Sequence, residues 1–215
     1  MKPGLYIVAT PIGNLEDISI RAKETLKNNA RRILNDKGGS LAEREELAAT
    51  YLVEVLFADI RDKAGAPYLG HLYRVAGGVG PALKAAALMH DLLEDIPGWT
   101  AEDLAEIGFS ARTIKAVQAV TKKPGGEKYF DAMMRLSHNS DGIEIKRSDL
   151  RDNSNLLRLT RLPNIKDFNR VAKYFLADKY LQDVQKKTAR RAPMFWNGCK
   201  RNQTNSKAHI SFAKI

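Results

Sequence analysis

Between Ser40 and Gln185 the chain is punctuated almost entirely by helix starts and helix stops, and this constrains its fold more than any other feature. Ser40-x-x-Glu43 has the form of a capping box, in which a hydroxyl and a carboxylate satisfy free amides at a helix start. The apolar positions that follow, Leu47, Leu52, Val53, Leu56, Phe57 and Ile60, recur with helical rather than strand spacing. Gly65-x-Pro67 breaks the pattern, and Pro67 opens a helix through Ala76 that Gly77-Gly78 closes. Pro81 begins the next helix, which carries His90-Asp91 and Glu94-Asp95 and ends at Pro97-Gly98. Thr100 and Ser110 cap two short helices on either side of Gly108, and Thr121 to Glu127 is a loop. Helices are then expected over Glu127–His138, Ile143–Leu159 and Ile165–Gln185. No segment in this span alternates as a half-buried strand does, so the expectation is an all-α bundle over about 40–185.

The two ends read differently. Leu5 to Ile12 has the pattern of a short buried strand, and Asp17 to Lys27 that of a helix stopped by Asn28-Asn29. A lone strand leaves its backbone groups unpaired, so residues 1–30 are expected to form an appendage rather than a self-sufficient domain. The opening, with one lysine and a brief apolar run, does not read as a signal peptide. The net charge of +10 is concentrated at the other end: residues 181–215 hold eight Lys/Arg against one acid, whereas 31–180 are nearly balanced. The tail over 186–215 is therefore expected to be polar, basic and dispensable for any chemistry of the bundle, with Met194-Phe195-Trp196 as its one apolar anchor. This tail is where the charge would favour a nucleic-acid partner, through phosphate neutralisation. Cys199 is the single cysteine, which excludes an internal disulfide and fits a reducing cytoplasm. No apolar run approaches the roughly 20 residues of a membrane span.

The residues that point to chemistry lie inside the bundle. His90-Asp91 interrupts the apolar run Ala85–Leu93, where polar groups are costly unless partnered. Glu94 and Asp95 follow one helical turn later. Imidazole with carboxylate suits Mn, Fe, Zn or Co. Further ligands must come from other helices. His71, among apolar neighbours, and the pair Asp149 and Asn153, four apart on one helix face, are the candidates, with His138 at a helix end and His209 in the tail as alternatives.

Residues about 61–162 resemble the HD superfamily, and within it the (p)ppGpp hydrolase domain of RelA/SpoT-type proteins and their small stand-alone relatives. The resemblance rests on Asp62-Lys63-Ala64-Gly65-Ala66-Pro67-Tyr68-Leu69-Gly70-His71, then Ala87-Leu88-Met89-His90-Asp91-Leu92-Leu93-Glu94-Asp95, then Thr100-x-Glu102-Asp103-Leu104, Val120-Thr121-Lys122 and Lys146-Arg147-Ser148-Asp149-Leu150-Arg151-Asp152-Asn153, in that order. It implies His71, His90, Asp91 and Asp149 as ligands of one divalent ion, Mn(II) first and Fe, Co or Zn as alternatives. It implies Glu94 and Asp95 as the catalytic pair that positions and deprotonates water. Asn153 matches a nucleotide-sugar contact and Lys63 a phosphate contact, and Lys122 can offset further phosphate charge. The expected activity is hydrolysis of a nucleotide pyrophosphate such as (p)ppGpp. The chain departs from that pattern at Asp62, where the family carries an arginine that helps hold guanine, and at Leu72, where it carries a proline.

Residues 5–27 resemble the first strand and helix of the 16S rRNA ribose 2′-O-methyltransferases, most specifically over Thr10-Pro11-Ile12-Gly13-Asn14-Leu15-Glu16-Asp17. The methyl-donor segments of that family have no counterpart further along, so the expectation is a truncated remnant that binds no methyl donor. Three readings compete: a metal-dependent phosphohydrolase, a fused HD bundle that binds metal or nucleotide with little turnover, and an RNA-associated protein using the methyltransferase-like start and the basic tail.

Overall fold

The computed structural model describes residues 20–62 and 64–186, and among these residues every named element is a helix. The strand expected at 5–12, Lys63, the tail from 187 with Met194-Phe195-Trp196, Cys199 and His209 lie outside the described residues. The helices are α1 (Ile20–Leu34), α2 (Leu41–Leu56), α3 (Leu69–Gly77), α4 (Lys84–Leu88), α5 (Leu92–Asp95), α6 (Ala101–Ile107), α7 (Ala111–Val120), α8 (Tyr129–Leu136), α9 (Ser140–Asn153) and α10 (Ile165–Gln185), with single 3-10 turns at Pro81–Leu83 and Leu156–Arg158. No described helix is long and apolar enough to cross a membrane.

Most helix starts follow from local chemistry. Ser40 and Glu43 form the capping box of α2, Thr100 and Asp103 that of α6, and Ser110 accepts from the Thr113 amide at the start of α7. Asn164 and Asp167 make a further capping box, and α10 runs over the span the spacing predicts. Packing then orders these helices. α2 lies against α1 and α4, and α9 against α3, α7 and α10. Leu52, Phe57, Ala86, Ala87, Met89 and Leu92 are fully enclosed between them.

Five expectations need correction. Asn28-Asn29 does not stop α1: Asn28 accepts from Arg31, Asn29 donates to the Tyr51 hydroxyl at 2.8 Å, and the helix continues to Leu34. Residue 30, where the appendage is expected to end, is a buried alanine inside a helix packed on α2 and α6. Leu47, placed among the apolar positions of α2, is exposed. The single helix expected from Pro81 to Asp95 is three pieces. The break falls at residues 89–91, where the His90 amide turns to Ala87 O and the His90 ring takes the same carbonyl at 2.7 Å. A side chain that bonds a helix carbonyl competes with the next rung of the ladder, and the chain tightens into a turn. Finally, α9 stops at Asn153 instead of Leu159, because Asn155 caps a separate turn through the Leu157 amide.

One glycine brings the site together. A Cβ at Gly78 would meet Ser148 Oγ at 2.1 Å and Ser148 Cβ at 3.2 Å, so a side chain there would displace the Ser148 hydroxyl and press α9 away from the end of α3. Ser148 Oγ donates to Val75 O at 2.9 Å across that approach. The neighbouring residue, Asp149, is thereby set against His71.

Candidate metal centre

His71 and His90 enter one buried space from α3 and from the turn after α4, and Asp149 enters it from α9. The three offer ligand atoms within 4.8 Å of one another. His71 Nε2 lies 3.3 Å from His90 Nε2 and 3.3 Å from Asp149 Oδ1. Asp91 joins them, its Oδ2 at 2.9 Å from His90 Nε2 and 3.8 Å from His71 Nε2. The four residues that the HD resemblance names as ligands are therefore neighbours in space.

The far side of each ring decides what the near side can do. His71 Nδ1 lies 2.6 Å from Asp152 Oδ2, and His90 Nδ1 lies 2.7 Å from Ala87 O. Carboxylate and carbonyl oxygens only accept, so both Nδ1 atoms carry hydrogen, and each Nε2 offers a lone pair when its ring is neutral. Two neutral imidazoles and two carboxylates facing one another in this way repel, so a proton or a metal cation must sit among them. This histidine geometry, with one ring nitrogen anchored and the other free to donate electrons, is the one metal-ligating histidines adopt.

The charges of the cluster follow from the same packing. Burial pulls the His90 imidazole toward its neutral form, but Asp91 and Asp149 outweigh this and push its pKa up to about 10. Burial opposes ionisation of Asp149, yet Lys146, whose Nζ is 2.7 Å away, and the two histidines hold it well below the usual carboxylate range. Tyr68 donates its hydroxyl to Asp91 Oδ2 at 2.6 Å, stacks on Phe57 and meets the His71 ring edge-on.

The remaining candidates divide. Asp95 lines a cleft of about 390 Å³ that opens beside the cluster, and its pKa is pushed up to about 6 by burial and by Asp91 and Glu94. Asn153 also lines this cleft and donates to Asp149 Oδ1 at 2.5 Å. Glu94, exposed like Asp95 but outside the cleft lining, accepts from the backbone amide of Lys122 at 3.2 Å, so it ties the 121–127 loop to α5, and Lys122 itself is exposed. His138 is an exposed helix-end residue bonded to Met134 O. Among the residues the sequence did not single out, Tyr68, Lys146 and Asp152 contact the candidate ligands, and Arg61, Arg158 and Arg170 line the cleft. Helix arithmetic carries a signal for two of them: Lys146 and Asp152 lie three residues before and after Asp149, on its own face.

No family model matches the chain. Two curated proteins match a short stretch: the ribosomal RNA small subunit methyltransferase I of Rickettsia prowazekii, 69% identical over 29 residues, and that of Erythrobacter litoralis, 74% identical over 27 residues. These stretches are 14% and 13% of this chain, and the chain spans about a tenth of the length of the curated relatives it matches. The methyltransferase likeness is thus real and confined to a short segment.

Proposed function

We propose that the chain is a metal-dependent phosphohydrolase acting on a nucleotide pyrophosphate of the (p)ppGpp type. The observation that carries this reading is the convergence of two imidazoles and two carboxylates from separate parts of the fold on one point, beside a cleft with three arginines in its wall. Two imidazoles and two carboxylates match the preferences of Mn(II), and of Fe, Co or Zn as alternatives. His71, His90, Asp91 and Asp149 would hold the ion. Bound there, a divalent cation supplies neutralisation of phosphate charge and a lowered pKa for water. The order of motifs shared with HD hydrolases supports the same reading.

The chain's own residues then have distinct tasks. Asp95 faces the cleft with a carboxyl poised near neutrality, the condition under which a carboxylate accepts a proton and returns it efficiently. Arg61 and Arg170 offer planar guanidinium groups to phosphoryl oxygens. Asn153 orients Asp149 from the edge of the cleft, and Glu94 holds the loop that carries Lys122. The test is to load the purified chain with Mn(II), measure the metal retained and follow phosphate and pyrophosphate release from a panel of guanine and adenine nucleotides. Failure to retain any divalent ion, or metal-dependent release from none of the panel, sinks the proposal.

One observation favours a second reading, a bundle that binds metal or nucleotide and turns over poorly. Asp62 places a carboxylate in the cleft wall where HD nucleotide hydrolases carry arginine. Retained metal and bound nucleotide without turnover would select it.

A further inference from the structure

Asp152 is bonded by more donors than its task on His71 requires. Beyond His71 Nδ1, it receives Arg74 Nε at 2.6 Å and Nη2 at 3.3 Å, and Arg158 Nη1 bonds the same Oδ2 that holds the histidine. Arg158 does not stop there. Its other terminal nitrogen, Nη2, donates to Asp62 Oδ2 at 2.5 Å. Asp62 in turn closes the turn that leads into α3: its Oδ1 accepts from the Ala64 and Ala66 amides at 2.9 and 3.0 Å, and its own amide donates to Ala66 O at 2.8 Å. That turn passes through Gly65 at φ +81° and Pro67 to Tyr68 and His71. A closed circuit results. It runs from His71 to Asp152 on α9, to Arg158 in the 3-10 turn that follows α9, to Asp62, and back along the backbone to His71.

We infer that Arg158 is a positioning residue for the candidate metal centre, and that Asp62, which touches none of the candidate ligands through its side chain, acts on His71 through it. The inference rests on the metal-centre reading and deepens it. Three physical arguments converge. The two carboxylates that Arg158 joins are little exposed, Asp152 at 9% and Asp62 at 11% of their side chains, and Arg158 itself is partly buried. Charge-assisted bonds in such surroundings are stiff and directional. A single guanidinium reaches both carboxylates only because its two terminal nitrogens form a fixed fork, which an ammonium cannot reproduce. The elements it joins, the entry to α3 and the exit of α9, are those that deliver His71 and Asp149, whose ligand atoms must keep their spacing to within a few tenths of an ångström to share an ion. Asp62 is one of the two places where the sequence departs from the HD pattern. In this circuit the departure replaces a group that would face a ligand with one that is fully committed to Arg158 and to two backbone amides.

The experiment uses the full chain and three variants, Arg158→Gln, Arg158→Lys and Asp62→Asn, with Asp62→Asn repeated in the Arg158→Gln background. Mn(II) affinity is measured without nucleotide, so that any contact of Arg158 with substrate plays no part. In the metal-free chain, the ring nitrogen and proton resonances of His71 report which nitrogen carries the hydrogen. Arg158→Gln is expected to weaken Mn(II) binding about tenfold, in the range of losses from outer-sphere partners of metal ligands. Arg158→Lys should recover only part of this. Asp62→Asn should weaken binding about threefold by itself and have no further effect once Arg158 is gone, the non-additivity expected of residues in one network. Both changes should shift the His71 ring signals. An Asp62→Asn variant with unaltered Mn(II) affinity and unaltered His71 signals overturns the inference, as does full additivity of the two changes. A wild-type chain that holds no divalent ion would sink the metal reading instead, and the His71 resonances would still decide whether Asp62 and Arg158 set that ring.

Discussion

Two polar clusters of this bundle differ in one respect. Where α1 meets α6, Lys23 and Lys27 face Asp103, Glu106 and Glu24, and every carboxylate has an ammonium within bonding distance. Lys23 also donates to Gly98 O, and Arg31 covers Glu106 O. That cluster is complete as it stands. Between α3, the 89–91 turn and α9, by contrast, His71, His90, Asp91 and Asp149 crowd ring nitrogens and carboxylate oxygens together. Lys146 pairs with the outer oxygen of Asp149, and Tyr68 and Asn153 donate to the inner oxygens Asp91 Oδ2 and Asp149 Oδ1, but the centre still calls for a proton on His90 or a cation in its place. Buried polarity therefore does not mark a site in itself. An excess of acceptors over donors does, because folding cannot tolerate it without a cation or a proton.

The sharpest way to break this comparison is to remove one member from each cluster. Asp149→Ala is expected to abolish both metal retention and turnover, measured by metal analysis after dialysis and by phosphate release. Metal retained at the wild-type level would show that the acceptor-rich centre is not where the ion sits.

Next in size is the choice of base. Asp95→Asn is expected to keep the metal and to lower the turnover rate about 10²-fold or more, the usual contribution of a positioned acid–base group. Glu94→Gln, which only weakens a bond to the Lys122 amide, is expected to cost less. The opposite ranking in kcat would move the base to Glu94.

The pH response follows from Asp95. Its folded pKa is raised from 3.8 to about 6, so the folded state holds that proton more tightly than the unfolded chain does. The associated stability is fully present below about pH 4 and is lost as pH rises through 6. In metal-free protein, the melting temperature of wild type should fall relative to that of Asp95→Asn as pH rises from about 4 to above 6, and the two should run parallel outside that window. Parallel behaviour throughout would remove Asp95 from the electrostatics of the centre.

The smallest effect belongs to the complete cluster. Asp103→Ala removes a capping-box carboxylate and two lysine contacts, and is expected to destabilise by about 1 kcal/mol while leaving metal affinity unchanged. A loss of metal binding would mean that the two clusters are coupled through the core.

The comparison also separates what could be read along the chain from what could not. The caps at Ser40, Thr100 and Ser110 and the span of α10 were legible because their determinants lie within three or four residues of each other. The continuation of α1 past Asn28-Asn29 was not, because Asn29 finds its partner in Tyr51 on another helix. The break at 89–91 was hidden for a related reason: the apolar run around His90 has helical periodicity, and the histidine disrupts it through a bond to Ala87 O that spacing does not reveal.

For the site, the sequence by itself determined which residue types are available and that His90-Asp91 needs a partner, since an apolar run sets the cost of leaving such a pair unmet. Only the tertiary structure decided that His71 and Asp149 supply that partnership, that Asp95 and not Glu94 turns to the cleft, and that Asp152, Arg158 and Asp62 stand behind His71. The physical reason is that a ligand set is a relation among side chains from separate helices. It depends on how closely those helices approach, which here turns on the absence of a side chain at Gly78.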